Sequence, residues 1–386
     1  MRKLLVLLAL APLLAACGGD ESPPAAEPAA AGGFSAVARE AKGQTVRWWM
    51  YGGDTKVNAY VDDVVAPAAA KRGVSIERVP ITDTADAVKR VVAERRAGKR
   101  EGGGVDLIWI NGENFAAGKK GGLWLEDWAT RLPNAKRYVD LASPAIAKDF
   151  QVAVDGQESP WQSARFIYAH DGAKVPDPPR DFDALLAFAR ENPGRFTYPA
   201  PPDYTGSAFV RQVVAAKGED EAFAYLRALK PLMYRKGRSL PKSQAELDGL
   251  FADGQVDFAM GYDANLVGAG VTKGAFSTST RPFLIGEGAL TNTSYVTIPA
   301  NAANAAGAQV LADVLLDPAL QAEKLKPSVL GNPTVLDLGR LGAKRELFAR
   351  QDTGPYVLTD YGTPVTEVAA DEVAPLEQRW TREVLR

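Results

Sequence analysis

The chain has 386 residues, with 45 Lys and Arg against 47 Asp and Glu and a formal net charge of −2, so it offers no basic field to nucleic acid or an anionic lipid surface. A single cysteine, Cys17, and a single histidine, His170, exclude a disulfide framework and a Cys/His zinc constellation. A body of this length without staples depends on its hydrophobic core, and at this size two compact units are the default expectation.

Met1-Arg2-Lys3 precedes an apolar run from Leu4 to Ala16. A basic start, a short apolar stretch and small residues at its end form a secretory signal, too short to remain as a membrane span. Leu14-Ala15-Ala16-Cys17 is similar to the lipobox of bacterial lipoproteins. That likeness implies a signal over residues 1–17, lipidation at Cys17, and a mature chain held to a membrane by acyl chains, in the periplasm or at the cell surface. The alternative, an N-terminal helix with one buried cysteine, finds no helical continuation beyond Cys17. Residues 18–43, carrying the Pro/Ala/Gly run Asp20–Gly33, read as a disordered tether, and the folded body is expected from about Gln44.

Thr45–Tyr51 is β-branched and aromatic and stops at Gly52-Gly53; Tyr60, Val61, Val64 and Val65 follow at helical spacing. Val74–Val79 alternates as a strand, Ala85, Val88, Val91 and Val92 mark a helix, and Val105–Ile110 is an apolar strand bounded by turn residues. This is a βαβαβ unit, with an expected mainly parallel sheet. Ligands of such sheets sit at the carboxyl ends of the strands. The two candidate loops are therefore Tyr51-Gly52-Gly53-Asp54 and Asn111-Gly112-Glu113-Asn114-Phe115.

A second unit is expected from about Arg165 to Leu290. Phe196-Thr197-Tyr198 is a short strand candidate. Asp203-Tyr204-Thr205-Gly206-Ser207 leads into a helix with an apolar face of Phe209, Val210, Val213 and Val214. Thr205 or Ser207 can cap that helix, whose first amides would seat an anion or a polar ligand group. Leu247, Leu250 and Phe251 predict a further helix, and Val256–Tyr262 a strand ending at Tyr262-Asp263-Ala264-Asn265. Two extended segments, Ser159–Tyr168 and Leu290–Pro299, would join the units. Two crossings allow bending about a hinge without separation.

The order of these pieces resembles that of the type II bacterial solute-binding proteins that serve ABC importers. The resemblance rests on TVRWWMYGG, DLIWINGENF, SPWQSARFIY, DYTGSAFVRQV, GQVDFAMGYDANL and TNTSYVTIPAN, followed by a helix over Ala302–Leu316 and by Asp317-Pro318-Ala319-Leu320-Gln321. The resemblance is strongest to the thiamine, iron and polyamine side of the family, including an uncharacterised branch. It implies an α/β, two-lobed type II periplasmic binding protein fold, each lobe a mainly parallel sheet flanked by helices. The lobes would divide as 44–163 and 293–345 for the first and 164–292 for the second, with C-terminal helices over 346–386 packing on both. It also implies a monomer that captures a small-molecule ligand, delivers it to an ABC permease in the cytoplasmic membrane, and performs no chemistry, with no cofactor, no metal and no nucleic acid.

The candidate ligand residues are Trp49, Tyr51, Gly52, Gly53, Asn111, Glu113, Asn114, Trp161, Tyr204, Thr205, Gly206, Ser207, Tyr262, Asp263, Asn265 and Tyr295. Aromatic faces with nearby carboxylates favour an organic cation, thiamine-like or polyamine-like, and Glu113 and Asp263 are the acids to pair with it. Competing readings stand beside these. Neighbours on a strand face opposite ways, so one of Trp48 and Trp49 belongs to the core. Trp109 lies within an apolar strand and reads as packing. Glu113 and Asp263 would serve equally as helix caps, Thr205–Ser207 as a cap only, and Trp161 as a hinge cover. Gly268–Gly274 imitates a dinucleotide loop with the wrong spacing and reads as a plain loop. His170 has no marked nucleophile partner. A ferric-ion receptor of the same fold would need converging oxygens, and Tyr51, Tyr204 and Tyr262 are isolated in sequence. An exported carboxylate-dependent hydrolase would use Glu113 and Asp263 as an acid and base pair. A cell-surface interaction protein would expose an apolar patch instead of a cleft.

Overall fold

The computed structural model describes residues 33–286, 288–349, 354–358, 360–363 and 365–386. The signal, Cys17 and most of the expected tether lie outside them. Order begins before Gln44: α1 (Gly33–Glu40) closes the predicted tether, with Phe34, Val37 and Ala38 packed on the core and Ala41 fully buried. These four positions follow helical spacing, which gives the segment an apolar face despite the Pro/Ala/Gly run before it.

The first lobe carries β1 (Thr45–Tyr51), β2 (Ser75–Ile81) and β3 (Leu107–Ile110). β1 pairs parallel with both neighbours, Trp49 opposite Val79 on one side and Ile108 on the other. α2 (Thr84–Arg96) and α3 (Gly112–Lys120) alternate with these strands, as the apolar spacing predicts. The strand pleat sends Trp48 into one core, with Val46 and Met50. It sends Trp49, half-buried, against Ala87, Val91 and Ile108 on the opposite face.

β4 (Glu158–Arg165) leaves the first lobe, and β5 (Ile167–Asp171) opens the second. Here the strand sense departs from expectation, because β5 pairs antiparallel with both β6 (Phe258–Gly261) and β7 (Thr280–Phe283). β5 runs away from the crossing, whereas β6 and β7 run back toward it, Gly261 facing Ile167 and Phe283 facing Tyr168. Outgoing and returning strands in one small sheet must oppose each other. Phe196–Tyr198 is buried but belongs to no strand, and Phe196 accepts from the Tyr234 amide. Gly268–Gly274 is not a loop; its first part belongs to a short helix, Leu266–Thr272.

β8 (Leu290–Thr297) returns and pairs antiparallel with β4 from Thr291 opposite Arg165 to Thr297 opposite Glu158. The two crossings thus form one ribbon, and α5 (Ala305–Leu315) and α6 (Pro318–Leu325) complete the first lobe. The C-terminal segment makes a third link. β9 (Val365–Thr366) pairs parallel with β8, and α7 (Ala370–Trp380) places Leu376 and Trp380 in the second core, where the Trp380 indole donates to Tyr198 at 2.9 Å. Residues 346–386 therefore do more than pack on the lobes: they add a strand between them.

The first lobe holds two acids with little to balance them. Glu158 is 1% exposed and both its oxygens lack a protein partner among the described residues; Asp149 accepts from the Gly112 amide through one oxygen only. Burial drives both carboxyls well above the ordinary range; Asp149 raises Glu158 further, and Glu113 and Glu367 raise Asp149. A carboxyl raised in the folded state contributes stability below the ordinary glutamate value of 4.5 and loses it as pH climbs through the folded value. Glu158→Gln is therefore expected to raise Tm at neutral pH and to shrink the loss of stability between acid and neutral conditions, read by thermal melts across a pH series.

Candidate functional site

Four surfaces converge where the lobes face each other: the ends of β1 and β3, the start of α4 (Tyr204–Lys217), the loop after β6, and the C-terminal segment. Tyr51 and Tyr204 are large side chains left open there, at 46% and 45% exposure. Tyr51 lies over Gly53, whose missing side chain makes room for the ring: a Cβ would stand 2.2 Å from the phenol oxygen. Gly52 is constrained as well: a Cβ there would stand 2.6 Å from Pro80 Cβ, and its amide donates to the Ile81 carbonyl. The turn feeds a helix capped by Asp54, which accepts from the Lys56 and Val57 amides.

Tyr204 is the meeting point. Its hydroxyl accepts from Asn111 Nδ2 at 3.4 Å, from the end of β3, and from Asn292 Nδ2 of the β8 crossing. Its ring lies 5.2 Å from that of Tyr262. Side chains from the first lobe, the hinge and the second lobe thereby meet at one phenol. The tyrosines that are isolated in sequence become a pair here, because α4 and the end of β6 abut.

Glu113 is exposed on the first turn of α3, and partial desolvation raises its carboxyl, opposed by Arg211 and reinforced by Glu377 and Asp83. Asp263 accepts from the Asn265 amide at 2.8 Å, so it does cap its own turn, yet it also faces Lys56 and Asp54 of the first lobe. Burial holds Asp263 at about 6. Asn111 and Asn114 are half-buried beside Glu113.

Several candidates lie elsewhere. Trp161 is 1% exposed and wedged edge-on between Trp48 and Trp109, so it is core and not a cleft wall. Tyr295 is fully buried, its hydroxyl under the carbonyls of Ala145, Ile146 and Lys148. Both sit mid-ribbon, where the paired crossings bury their side chains. Trp49 packs against α2. Asn265 is buried and donates to the Pro327 carbonyl at 2.6 Å, tying the second lobe to the first.

The helix start is also different from expectation. Asp203, not Thr205 or Ser207, caps α4, accepting from the Thr205 and Gly206 amides at 3.0 Å each. The anion seat is filled by the chain's own carboxylate. Thr205 is buried and donates to Gln244; Gly206 is buried against Pro199, whose carbonyl oxygen a Cβ would meet at 1.9 Å. Ser207 donates to Glu377 at 2.6 Å and accepts from Arg211 at 2.7 Å.

Sequence reasoning missed the charged group behind this surface. Arg211 forms a two-pronged pair with Glu367, at 2.7 and 3.1 Å, and Tyr262 donates its hydroxyl to the same carboxylate. Both partners are almost fully buried. Arg211 stands one turn after Ser207 on a helix otherwise read as apolar, and that spacing was the available signal. Nothing local marked Glu367.

A family model described as "Bacterial extracellular solute-binding protein" matches residues 63–337. Protein YnjB of Escherichia coli (strain K12) is 38% identical over 366 residues, covering 89% of this chain and 92% of that one. Among solved structures, the periplasmic binding protein AfuA from Actinobacillus pleuropneumoniae, with fructose-6-phosphate bound, aligns with a TM-score of 0.62 at 16% identity, over 88% of this chain and 98% of its own. A periplasmic thiamin binding protein aligns with a TM-score of 0.59 at 17% identity, over 89% and 96%. The likeness to those structures establishes the two-lobed fold. On the span of the family match and the identity to its relative, this chain belongs to the bacterial extracellular solute-binding proteins.

Proposed function

We propose that the chain is the receptor of an ABC importer that captures a ring-bearing or polyamine-like organic cation between its lobes and passes it to a permease in the cytoplasmic membrane. In this reading it is a monomer held to the membrane through acylated Cys17, and it releases its cargo unchanged. The supporting observation is the open face of Tyr204, which feels the carboxylate of Glu113, with Asp263 following its ring partner Tyr262 in the chain, while the buried guanidinium of Arg211 is already paired. An aromatic face contributes about 0.5–2 kcal/mol to a cation when water is excluded. Thiamine and polyamine cargoes carry the charge that such a wall attracts.

The test is calorimetry with thiamine, spermidine, ferric citrate and fructose 6-phosphate. Cations are expected to bind, and Glu113→Gln to weaken them about threefold to tenfold, the range of a partly exposed charge-assisted contact. Affinity should also fall as pH drops through about 6, where Asp263 gains its proton and loses its attraction for a cation. Binding of the sugar phosphate alone would end the cation reading. The Tyr204–Tyr262 pair gives the ferric alternative one observation in its favour, and saturable iron binding lost in Tyr204→Phe would select it.

A further inference from the structure

The C-terminal segment brings two carboxylates to one guanidinium inside the second lobe. Glu367 grips Arg211 with both oxygens, and Glu377 reaches the same group through Ser207. Arg211 itself lies between two rings from opposite lobes, 5.5 Å from the centre of Phe150 and 5.7 Å from that of Tyr204. The second of these rings is the open wall of the cleft. The guanidinium also opposes, without overcoming, the rise that desolvation gives the Glu113 carboxyl, so its field reaches the cleft. The strap that carries Glu367 is fastened to the first lobe as well: Gln151 donates to the Glu367 carbonyl at 3.0 Å, and the Ala370 amide donates to the Phe150 carbonyl at 2.9 Å.

An arginine one ring away from an open cleft, with a fork suited to carboxylate and phosphate, would ordinarily attract an anion. Here that capacity is consumed by an internal acid. We infer that Glu367 is a specificity-determining residue: by occupying Arg211 it removes the buried cation behind Tyr204 and sets the cleft to accept positive rather than negative cargo. The charge balance supports this. With Arg211 and Glu367 cancelling, Glu113 and Glu377 leave the surface negative; without Glu367 the guanidinium offsets one of them and presents a fork with free donors. Neutralising the acid converts a quenched pair into an anion subsite made of Arg211, Ser207 and the Tyr262 hydroxyl, which in Glu367→Gln faces an uncharged amide oxygen in place of the carboxylate.

The inference rests on the cation reading for its wild-type sign, but its test does not require that thiamine be the cargo. Full-length chain and Glu367→Gln are titrated calorimetrically with inorganic phosphate and, separately, with thiamine. Wild type is expected to ignore phosphate, and E367Q to gain saturable phosphate binding, about tenfold or more above wild type, the size of a charge-assisted hydrogen bond to a freed arginine. Adding Arg211→Met to E367Q should abolish that gain. A folded E367Q that remains blind to phosphate overturns the inference, as does a gain that survives removal of Arg211. If thiamine binds neither protein while the phosphate gain appears, the choice of cargo is wrong and the role of Glu367 stands. Should circular dichroism show E367Q unfolded, Glu367→Asp replaces it. Its shorter arm loosens the two-pronged grip, so a partial phosphate gain sustains the inference and none overturns it.

Discussion

Replacing Arg211 with methionine is expected to lower the free energy of unfolding by about 3–5 kcal/mol, read from urea denaturation. The cost arises less from the lost attraction than from what is left behind. Glu367 is 3% exposed by side chain, its oxygens lie opposite Arg211, and no water-facing route relieves the charge once its partner is gone. Ser207 loses one of its two partners in the same change. The pair as a whole stabilises the fold far less than either deletion suggests, because desolvating two ions offsets most of their attraction. Arg211→Met combined with Glu367→Leu should therefore be markedly more stable than Arg211→Met alone. Denaturation of the double variant at or below the stability of the single would show that the Tyr262 hydroxyl, which donates to Glu367, and not the buried charge, dominates. Since the two residues join the second lobe to the C-terminal strap, the loss is expected to reach both lobes in one cooperative transition.

Lysine 324 carries the second large effect. It is fully buried on α6, donates to the Trp161 carbonyl and stands 5.7 Å above the Trp161 ring, and among the described residues no carboxylate pairs with it. Burial lowers its ammonium from the ordinary 10.5 to about 7. The unfolded chain keeps this proton throughout the interval between those values, whereas the folded chain sheds it. Stability therefore rises with pH from about 7 toward 10.5, by about 1.4 kcal/mol per unit for this one group, and is flat with respect to Lys324 below about 7. Lys324→Met removes that slope. It is expected to stabilise the fold at pH 7 by on the order of 3 kcal/mol, after allowing for the donor and ring contact it gives up. The Trp161 carbonyl keeps a donor in Gln321 at 2.8 Å, so the substitution does not orphan it. Denaturant melts of both proteins at pH 7 and pH 9 provide the measurement. An unchanged pH slope in the variant would place the proton elsewhere. The carboxyls of Glu158 and Asp149 act in the opposite sense, losing stability as pH climbs, so Lys324→Met and Glu158→Gln change the pH slope with opposite signs in one series.

Much of the first lobe was legible from spacing. β-branched and aromatic residues over Thr45–Tyr51, alternation near Ser75–Ile81 and the apolar run into Ile110 became three parallel strands in the expected order. The crossings were legible for the same reason, as extended segments of the right length, and they pair with each other. The second lobe was harder. Its antiparallel sheet depends on which strands leave the hinge and which return, and nothing within a strand records its direction relative to a partner. Phe196–Tyr198 has strand composition without a strand beside it, since aromatic residues that suit a sheet also suit a buried loop.

The candidate site divides along the same line. Tyr51, Glu113 and Asp263 stand at or just after the ends of β1, β3 and β6, because a strand's end and the loop after it are local properties, whereas Tyr204 opens α4 with no strand before it. Trp161 and Tyr295 were drawn toward the site by composition alone, and the ribbon turned both inward. Arg211 and Glu367 are 156 residues apart. No window of sequence contains both.

The sequence by itself thus determined the element types of the first βαβαβ unit, the chain order of its strands and the loops that follow them, since backbone preference and hydrophobic period act over a few residues. Which rings face the cleft and which carboxylate pairs with the buried arginine were decided only by tertiary structure. Those outcomes follow from the packing of segments far apart in the chain, where burial and pairing of charge outweigh any local preference.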